Sequence, residues 1–202
     1  MNCTTGNSGG PMNEIHVPDY IKGLIFDCDG TLVDSMPVHM MAWEHSVKAQ
    51  GGKWDFPYFF SKKGTPDKEL IELYNGDFGF SLDVLRTMKL KDEYFRNLRN
   101  QLKPIQRVVD IVLRYRNNLP MAVASGSSKA NVDFQLEALG IKNYFSVILT
   151  ADDGIQPKPS PDIFIKAAVQ LGVEPRMCQV FEDGELGLEA ARRAEMLATD
   201  VR

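Results

Sequence analysis

The stretch IKGLIFDCDGT, residues 21–31, decides the fold of this chain of 202 residues. Its apolar run ends abruptly after Phe26 in the acid-rich segment DCDG, residues 27–30. A short apolar run that stops at polar residues and glycine is typical of a buried parallel strand. The stretch therefore predicts a central strand with two carboxylates, Asp27 and Asp29, in the loop at its carboxyl end.

Three later apolar runs also end in polar residues, and a last strand is predicted close to the carboxyl terminus. These predicted strands are 121–124, 147–149, 179–181 and 197–201. Helical periods lie between them, at 129–139, 161–171 and 185–195. Alternating strands and helices predict an α/β fold, a doubly wound parallel sheet whose ligands bind beyond the carboxyl ends of the strands.

The connection between the first two predicted strands, residues 30–124, is far longer than a parallel crossover requires. Its periodicity predicts no strand, but helices at 37–50, 66–74 and 82–102, and one at 105–115 that returns the chain to the sheet. An inserted helical domain is the simplest interpretation. The predicted organisation is a flexible tail at 1–18, an α/β catalytic core at 19–34 and 104–202, and a small helical cap at 35–103.

Composition and charge narrow the class of protein. With 44% hydrophobic and 25% charged residues, the chain is expected to be globular. A formal net charge of −4 and the lack of a dense basic block disfavour nucleic acid as a partner. The sequence has no apolar run of 18 residues and no signal-peptide pattern, which disfavours a membrane. Three widely spaced cysteines favour the reducing cytoplasm.

Acidic, hydroxyl and amino groups gather at the predicted strand exits. Besides Asp27 and Asp29, they belong to Ser125, Lys158 and the acidic pair Glu182-Asp183. In-line phosphoryl transfer to an aspartate requires such a set: a nucleophile, a second acid, carboxylates for a divalent cation, a hydroxyl and a lysine. Alone, the two aspartates are also compatible with turn acids or with a glycosidase-type pair. An EF-hand calcium loop is excluded because Gly30 follows Asp29 directly.

The chain carries four motifs in a set order: DCDGTLVDS at 27–35, SGS at 125–127, KPSPD at 158–162 and FED at 181–183. Together they resemble the haloacid dehalogenase-like hydrolases, in the branch that contains sugar-phosphate phosphatases and β-phosphoglucomutases. The resemblance covers about residues 22–202. Within the branch, the segment 182–202 looks most like bacterial phosphatases of fructose 1-phosphate.

The resemblance implies the roles of the acidic residues. Asp27 would attack phosphorus and become an aspartyl phosphate, and Asp29 would act as general acid and then general base. A magnesium ion would be held by Asp27, the backbone carbonyl of Asp29 and Asp183. Glu182 would be an alternative or water-mediated ligand of Mg²⁺, or a structural acid that orients Lys158.

The remaining implied roles concern phosphate and substrate. Ser125 and the amide of the next residue would bind phosphate oxygens, and Lys158 would supply positive charge to the nucleophile and the transition state. The residues predicted to contact substrate are Thr31, His39, Gly64, Thr65 and Gly126. His39 is also compatible with an exposed helix position. Five lysines of the insert are predicted to be mainly solvated surface charges: Lys62, Lys63, Lys68, Lys89 and Lys91.

The favoured function is a magnesium-dependent phosphatase of a small phosphorylated metabolite, with fructose 1-phosphate-like substrates first. The insert would close as a lid over the strand exits. A phosphohexomutase that uses the same aspartyl phosphate is the main alternative. Mutases of this branch carry an arginine where this chain has Asp67, which favours water as the phosphoryl acceptor. A signalling receiver and a non-catalytic sugar-phosphate binder are further alternatives, disfavoured by the long insert and by the pair of aspartates.

Overall fold

The computed structural model describes residues 15–202. Its strands are β1 (Gly23–Phe26), β2 (Val33–Asp34), β3 (Lys103–Pro104), β4 (Met121–Ala124), β5 (Val147–Leu149), β6 (Cys178–Glu182) and β7 (Leu197–Asp200). Its α-helices are α1 (Met36–Ala49), α2 (Phe56–Ser61), α3 (Asp67–Phe78), α4 (Val84–Asn97), α5 (Gln106–Tyr115), α6 (Lys129–Ala138), α7 (Asp162–Leu171) and α8 (Glu185–Arg193).

The main sheet has five strands in the order β5-β4-β1-β6-β7, and neighbouring strands are parallel. β1 lies at the centre, where Leu24 pairs with Met121 on one side and Gln179 on the other. All four residues of β1 are buried, as expected for a parallel strand covered on both faces. The predicted doubly wound α/β fold is confirmed.

Two hydrophobic layers enclose the sheet. One contains Phe26, which stacks on Phe181 with ring centroids 4.6 Å apart, and is covered by α5 and α6. The other contains Ile25 and Val180 and is covered by α7 and α8. Side chains of β1 alternate between these layers, because successive strand residues point to opposite faces. The layers bury β1 on both faces and place its carboxyl end in the middle of one edge of the sheet.

The segment between β2 and β3 is helical and has a hydrophobic cluster of its own, which includes Trp43, Phe59 and Tyr74. The helical insertion is thus confirmed, while its exact limits at 35 and 103 stay predictions. α2 was missed because its six residues, FPYFFS, are too short and too uniformly apolar to show a helical period. Asp55 caps it by accepting from the Tyr58 N–H at 2.9 Å.

The expectation of no strand in the inserted segment is wrong at both ends of the insert. β2 and β3 form a two-stranded antiparallel ribbon, with Val33 opposite Pro104 and Asp34 opposite Lys103. Two residues per strand are too few for an alternating pattern to be visible in the sequence. The ribbon holds the chain entering the insert beside the chain leaving it.

The amino-terminal segment is described from residue 15, so most of the predicted tail, residues 1–14, lies outside the described residues. At residues 15–18 the chain packs on the core. Val17 is buried in the layer that contains Phe26, and the His16 carbonyl accepts from Gln179 Nε2 at 3.0 Å. Within residues 15–202, no helix is long and apolar enough to cross a membrane.

Candidate active site

The carboxyl ends of β1, β4 and β6 meet at one edge of the sheet. Asp27 follows β1 directly, and its N–H donates to the Phe181 carbonyl at 3.0 Å, so the ladder continues one residue beyond the strand. Ser125 follows β4, and its N–H donates to the Leu149 carbonyl at 3.0 Å. Glu182 is the last residue of β6. The sheet register therefore fixes three predicted site residues relative to one another.

Lys158 reaches this edge from the loop before α7. Its Nζ lies 2.7 Å from Asp27 Oδ1 and also forms an ion pair with Glu182 Oε1. The three side chains are 14%, 10% and 4% exposed, respectively. Glu182 is held further by the Gly184 N–H, which donates to its Oε2 at 3.0 Å. The structure therefore brings Lys158 into contact with Asp27 and Glu182.

The electrostatics of this group follow from burial and the shared ammonium. Burial raises the pKa of Asp27 well above its usual value. The Lys158 ammonium lowers this pKa, and the nearby Glu182 raises it. Burial alone would lower the pKa of Lys158, but Asp27 and Glu182 hold it above its usual value. Lys158 is therefore charged at neutral pH and available to balance negative charge at Asp27.

Asp183 brings a third carboxylate to the site. Oxygen atoms of Asp27, Glu182 and Asp183 all lie within 4.8 Å of one another. Burial, and then Glu182, raise the pKa of Asp183. Thr31, predicted as a substrate contact, is fully buried, and its hydroxyl donates to Asp183 Oδ1 at 3.4 Å. Gly30 has a φ of +77°, and a Cβ there would overlap the Asp183 carboxylate, so this loop requires glycine.

The three carboxylates fit a hard divalent cation. Mg²⁺ prefers oxygen ligands and binds through one or two carboxylates plus substrate phosphate, and this group offers oxygen donors at strand exits. A cation would also neutralise the mutual repulsion between these buried carboxylates. Gly30 has no Cβ to fill the space beside the Asp183 carboxylate, so this carboxylate stays accessible from the site. The donor set therefore suits the predicted metal.

The Asp29 carboxylate contacts a different set of side chains. Its oxygens accept hydrogen bonds from Ser35 Oγ at 2.5 Å, His39 Nε2 at 3.0 Å, Ser127 Oγ at 2.6 Å and Gln135 Nε2 at 3.0 Å. Burial alone would raise the pKa of Asp29, but the hydrogen bonds from His39, Ser127 and Ser35 hold it well below its usual value. Hydrogen bonds from four side chains thus stabilise the ionised form of Asp29.

The SGS motif forms the loop between β4 and α6. Ser125 is buried, and its hydroxyl oxygen accepts from the Ser127 N–H at 3.1 Å. Gly126 is exposed, with open space where a Cβ would stand. Ser128 caps α6 by accepting from the Asn131 N–H. The loop therefore leaves Gly126 exposed at the carboxyl end of β4, the strand beside β1, which suits contact with an anion.

The predicted contacts from the insert divide into two sets. His39 on α1 reaches Asp29 and stacks on Phe95 with ring centroids 4.3 Å apart, so the exposed alternative is wrong. Gly64 is exposed with a φ of +86°, and the Thr65 N–H donates to the Lys62 carbonyl within its own loop. Their contact with substrate stays a prediction.

Sequence reasoning missed the side chains that hold Asp29. Ser35 and Ser127 lie within the quoted motifs, but only the tertiary fold shows which acid they contact. Gln135 is fully buried on α6 beside Leu136, and a polar residue on the buried face of a helix was the available signal. Lys91 was expected to be solvated, which is wrong, because it is 3% exposed.

The fold and the site together place the chain in a known family. The haloacid dehalogenase-like hydrolase model matches residues 21–195, and the chain belongs to this family. It is therefore an enzyme of the hydrolase class.

Particular relatives are similar over most of their length. The chain is 37% identical to the fructose-1-phosphate phosphatase YqaB of Escherichia coli, covering 89% of this chain and 96% of that protein. It is 29% identical to a β-phosphoglucomutase of Bacillus subtilis, covering 90% and 83%. Among solved structures, CbbY of Rhodobacter sphaeroides in complex with phosphate matches with a TM-score of 0.76 at 27% identity, covering 88% and 84%.

The packing of Glu182 against α8 yields a stability prediction. A Cβ at Gly187 would overlap the Glu182 carboxylate, which Lys158 and the Gly184 N–H hold in place. Gly187→Ala should therefore lower the free energy of unfolding by about 1–3 kcal/mol in urea denaturation, despite the gain in helix propensity. Gly76→Ala on α3 meets open space and serves as the control. Equal stability of the two variants would contradict the prediction.

Proposed function

We propose that this enzyme is a phosphatase that hydrolyses small sugar phosphates with Mg²⁺, through a phosphoryl group carried on Asp27. The observation that supports it most is the buried Lys158 ammonium 2.7 Å from Asp27 Oδ1, with two further carboxylates in the same group. The phosphatase relative at 37% identity supports the same reaction class and a fructose 1-phosphate-like substrate.

Asp27 is the proposed nucleophile. A carboxylate oxygen of Asp27 forms a bond to phosphorus while the bond from phosphorus to the sugar oxygen breaks. The Lys158 ammonium favours the ionised form of Asp27, which its burial disfavours, and balances charge on the phosphoryl oxygens. Ser125 and the amide of Gly126 bind the phosphoryl oxygens that face β4. Asp27, Asp183 and the backbone carbonyl of Asp29 would hold Mg²⁺, with Glu182 as an alternative or water-mediated ligand, and the ion would supply charge neutralisation during transfer.

Asp29 is the proposed acid and base. It donates a proton to the departing sugar oxygen and then accepts one from the water that attacks phosphorus and releases phosphate from Asp27. Asp29 is ionised while its four partners donate hydrogen bonds to it. To act as an acid it must first bind a proton, and some of these hydrogen bonds must then break. His39 lies on the insert, so movement of the insert is one way to release a donor.

The insert is proposed to act as a lid over the strand exits. Lys63, in the loop before α3, opposes the rise in the pKa of Asp183, so this loop lies within electrostatic range of the acidic group. Closure over the site would exclude water during transfer and restrict substrates to small metabolites.

Free, buried thiols at Cys28 and Cys178 are compatible with the reducing cytoplasm as the location of the enzyme.

A phosphohexomutase is the second candidate, because a β-phosphoglucomutase is among the relatives. Both reactions share the step on Asp27 and differ in the acceptor of the phosphoryl group. A panel of hexose phosphates with Mg²⁺ should release inorganic phosphate steadily, without interconversion of 1- and 6-phosphates even when a bisphosphate primer is added. Efficient interconversion with little phosphate release would instead establish the mutase.

The roles of the two aspartates can be separated by substitution. Asp27→Asn should abolish turnover, because an amide is a poor nucleophile. Asp29→Asn should keep substrate affinity but lower kcat by about 10²- to 10⁴-fold, as expected for loss of a general acid–base. Asp19→Asn, at an exposed position before β1, is the control. Residual activity above a few per cent of wild type in Asp27→Asn would reject the nucleophile.

Removal of divalent metal should stop turnover reversibly. Chelation followed by addition of Mg²⁺ should restore the original rate, and Asp183→Asn should raise the Mg²⁺ concentration needed for half-maximal activity, because it removes one anionic oxygen donor. The measurement is phosphate release against free Mg²⁺, with Asp19→Asn again as control. Full activity in metal-free buffer would contradict the metal assignment.

A further inference from the structure

A buried glutamine of the core, Gln135 on α6, contacts the proposed acid and base. Gln135 is fully buried, and its Nε2 donates to Asp29 Oδ1 at 3.0 Å. It shares the buried face of α6 with the apolar Val132 and Leu136. Within residues 15–202, its Oε1 has no hydrogen-bond partner, which costs free energy at a buried position. Packing alone therefore gives no reason for a glutamine here, whereas the contact with Asp29 does.

The two carboxylate oxygens of Asp29 are bound unequally. Oδ1 accepts from Ser35 Oγ, His39 Nε2 and Gln135 Nε2. Within the described part of the chain, Oδ2 accepts from Ser127 Oγ alone, at 2.6 Å. A carboxylate offers about four acceptor positions, shared between its two oxygens. Oδ1 is therefore filled by its donors, while Oδ2 has room for a proton.

The three groups that face Oδ1 differ in what they can do when Asp29 takes up a proton. The Ser35 hydroxyl can turn and accept, and the His39 ring nitrogen accepts in the other tautomer. The Gln135 amide nitrogen can only donate. A proton on Oδ1 would point at the amide hydrogens of Gln135, so this contact keeps Oδ1 an acceptor. The Ser127 hydroxyl beside Oδ2 can turn and accept, which leaves Oδ2 free to carry the proton.

Gln135 is also the donor to Oδ1 that belongs to the core. His39 lies on α1 in the insert, and Ser35 directly precedes that helix. Gln135 lies on α6, which covers the main sheet, and so keeps its place when the insert moves. Ser127, the partner of Oδ2, belongs to the SGS loop at the carboxyl end of β4. Oδ2 therefore faces the loop that is proposed to bind phosphate.

We propose that Gln135 is a positioning residue that holds Oδ1 of Asp29 as an acceptor and thereby makes Oδ2 the oxygen that carries the proton. The O–H bond at Oδ2 breaks as the departing sugar oxygen gains its proton, and Oδ2 later takes a proton from the attacking water. The proposal rests on the proposed phosphatase function. It goes further by naming the oxygen that carries the proton and the core side chain that selects it.

The test compares kcat/KM for fructose 1-phosphate and p-nitrophenyl phosphate, because this constant reports phosphoryl transfer to Asp27. A sugar oxygen needs a proton as it leaves, whereas p-nitrophenolate leaves without one. Gln135→Met removes the amide donor with little change of shape. It should lower kcat/KM for fructose 1-phosphate on the order of tenfold and that for p-nitrophenyl phosphate by less than about twofold.

Leu136→Met is the matched control, since it places the same side chain at the adjacent buried position of α6. It should leave the ratio of the two kcat/KM values unchanged. The midpoint of urea unfolding should be unchanged or higher in Gln135→Met, because this variant also loses the unpartnered Oε1. An equal loss of kcat/KM for both compounds, or an unchanged ratio, would show a merely structural role and overturn the proposal.

A double substitution tests whether Gln135 acts through Asp29. In the Asp29→Asn background, Gln135→Met should cause no further loss of kcat/KM for fructose 1-phosphate, because the group that it positions is already disabled. A further loss on the order of tenfold would contradict the assignment. If Gln135→Met does not fold, Gln135→Leu is measured in the same way. Failure of both variants to fold would establish a structural role and overturn the proposal.

The outcomes separate the positioning role from the phosphatase itself. Turnover of both compounds by the wild-type enzyme, with the same ratio in Gln135→Met and Leu136→Met, overturns the role of Gln135 and leaves the phosphatase intact. Failure of the wild-type enzyme to release phosphate from either compound overturns the phosphatase and the positioning role with it. A selective loss with fructose 1-phosphate in Gln135→Met supports both.

Discussion

The Lys158 ammonium is the group on which the arrangement of the site depends. Asp27 and Glu182 stand side by side at the exits of neighbouring strands, where burial strongly disfavours two negative charges. The ammonium lies between them and offsets part of that cost, so the sheet can hold a buried carboxylate at the position of the proposed nucleophile. Asp183, in the next position along the chain, adds the charge that a divalent cation would balance. Gly187 leaves the room that Glu182 needs to face the lysine.

Much of the fold could be predicted because its signals are local. The buried strands show as short apolar runs, and Gly140 and Gly172, with φ near +70°, mark the ends of α6 and α7. The helical character of the insert was also readable from periodicity. The ribbon of β2 and β3 was not, because its pairing joins residues some 70 positions apart through two residues on each side. The short helix α2 was hidden by its aromatic composition.

The sequence motifs predicted the main residues of the site. They did not predict contacts between side chains that lie far apart in the sequence. Asp27, Lys158 and the acidic pair come together because parallel strands end at the same edge. The four donors to Asp29 come from β4–α6, α6, α1 and the turn before α1, and no spacing in the sequence connects them. Lys91 was misjudged because a lysine near Glu93 and Asp92 resembles a solvated helix face. Its burial depends on Asp67 and Trp43, which belong to other helices.

The ribbon of β2 and β3 has a consequence for how such enzymes diversify. The two crossing points of the insert are hydrogen-bonded neighbours, and the Ile105 N–H also donates to the Leu32 carbonyl at 3.0 Å. A segment whose two ends emerge side by side can be lengthened, shortened or exchanged without moving any strand of the main sheet. The strand-exit edge and the helical insert can therefore accumulate changes separately. Residues 34 and 103, which pair in the ribbon, are therefore suitable junctions for a chimera that carries another helical insert.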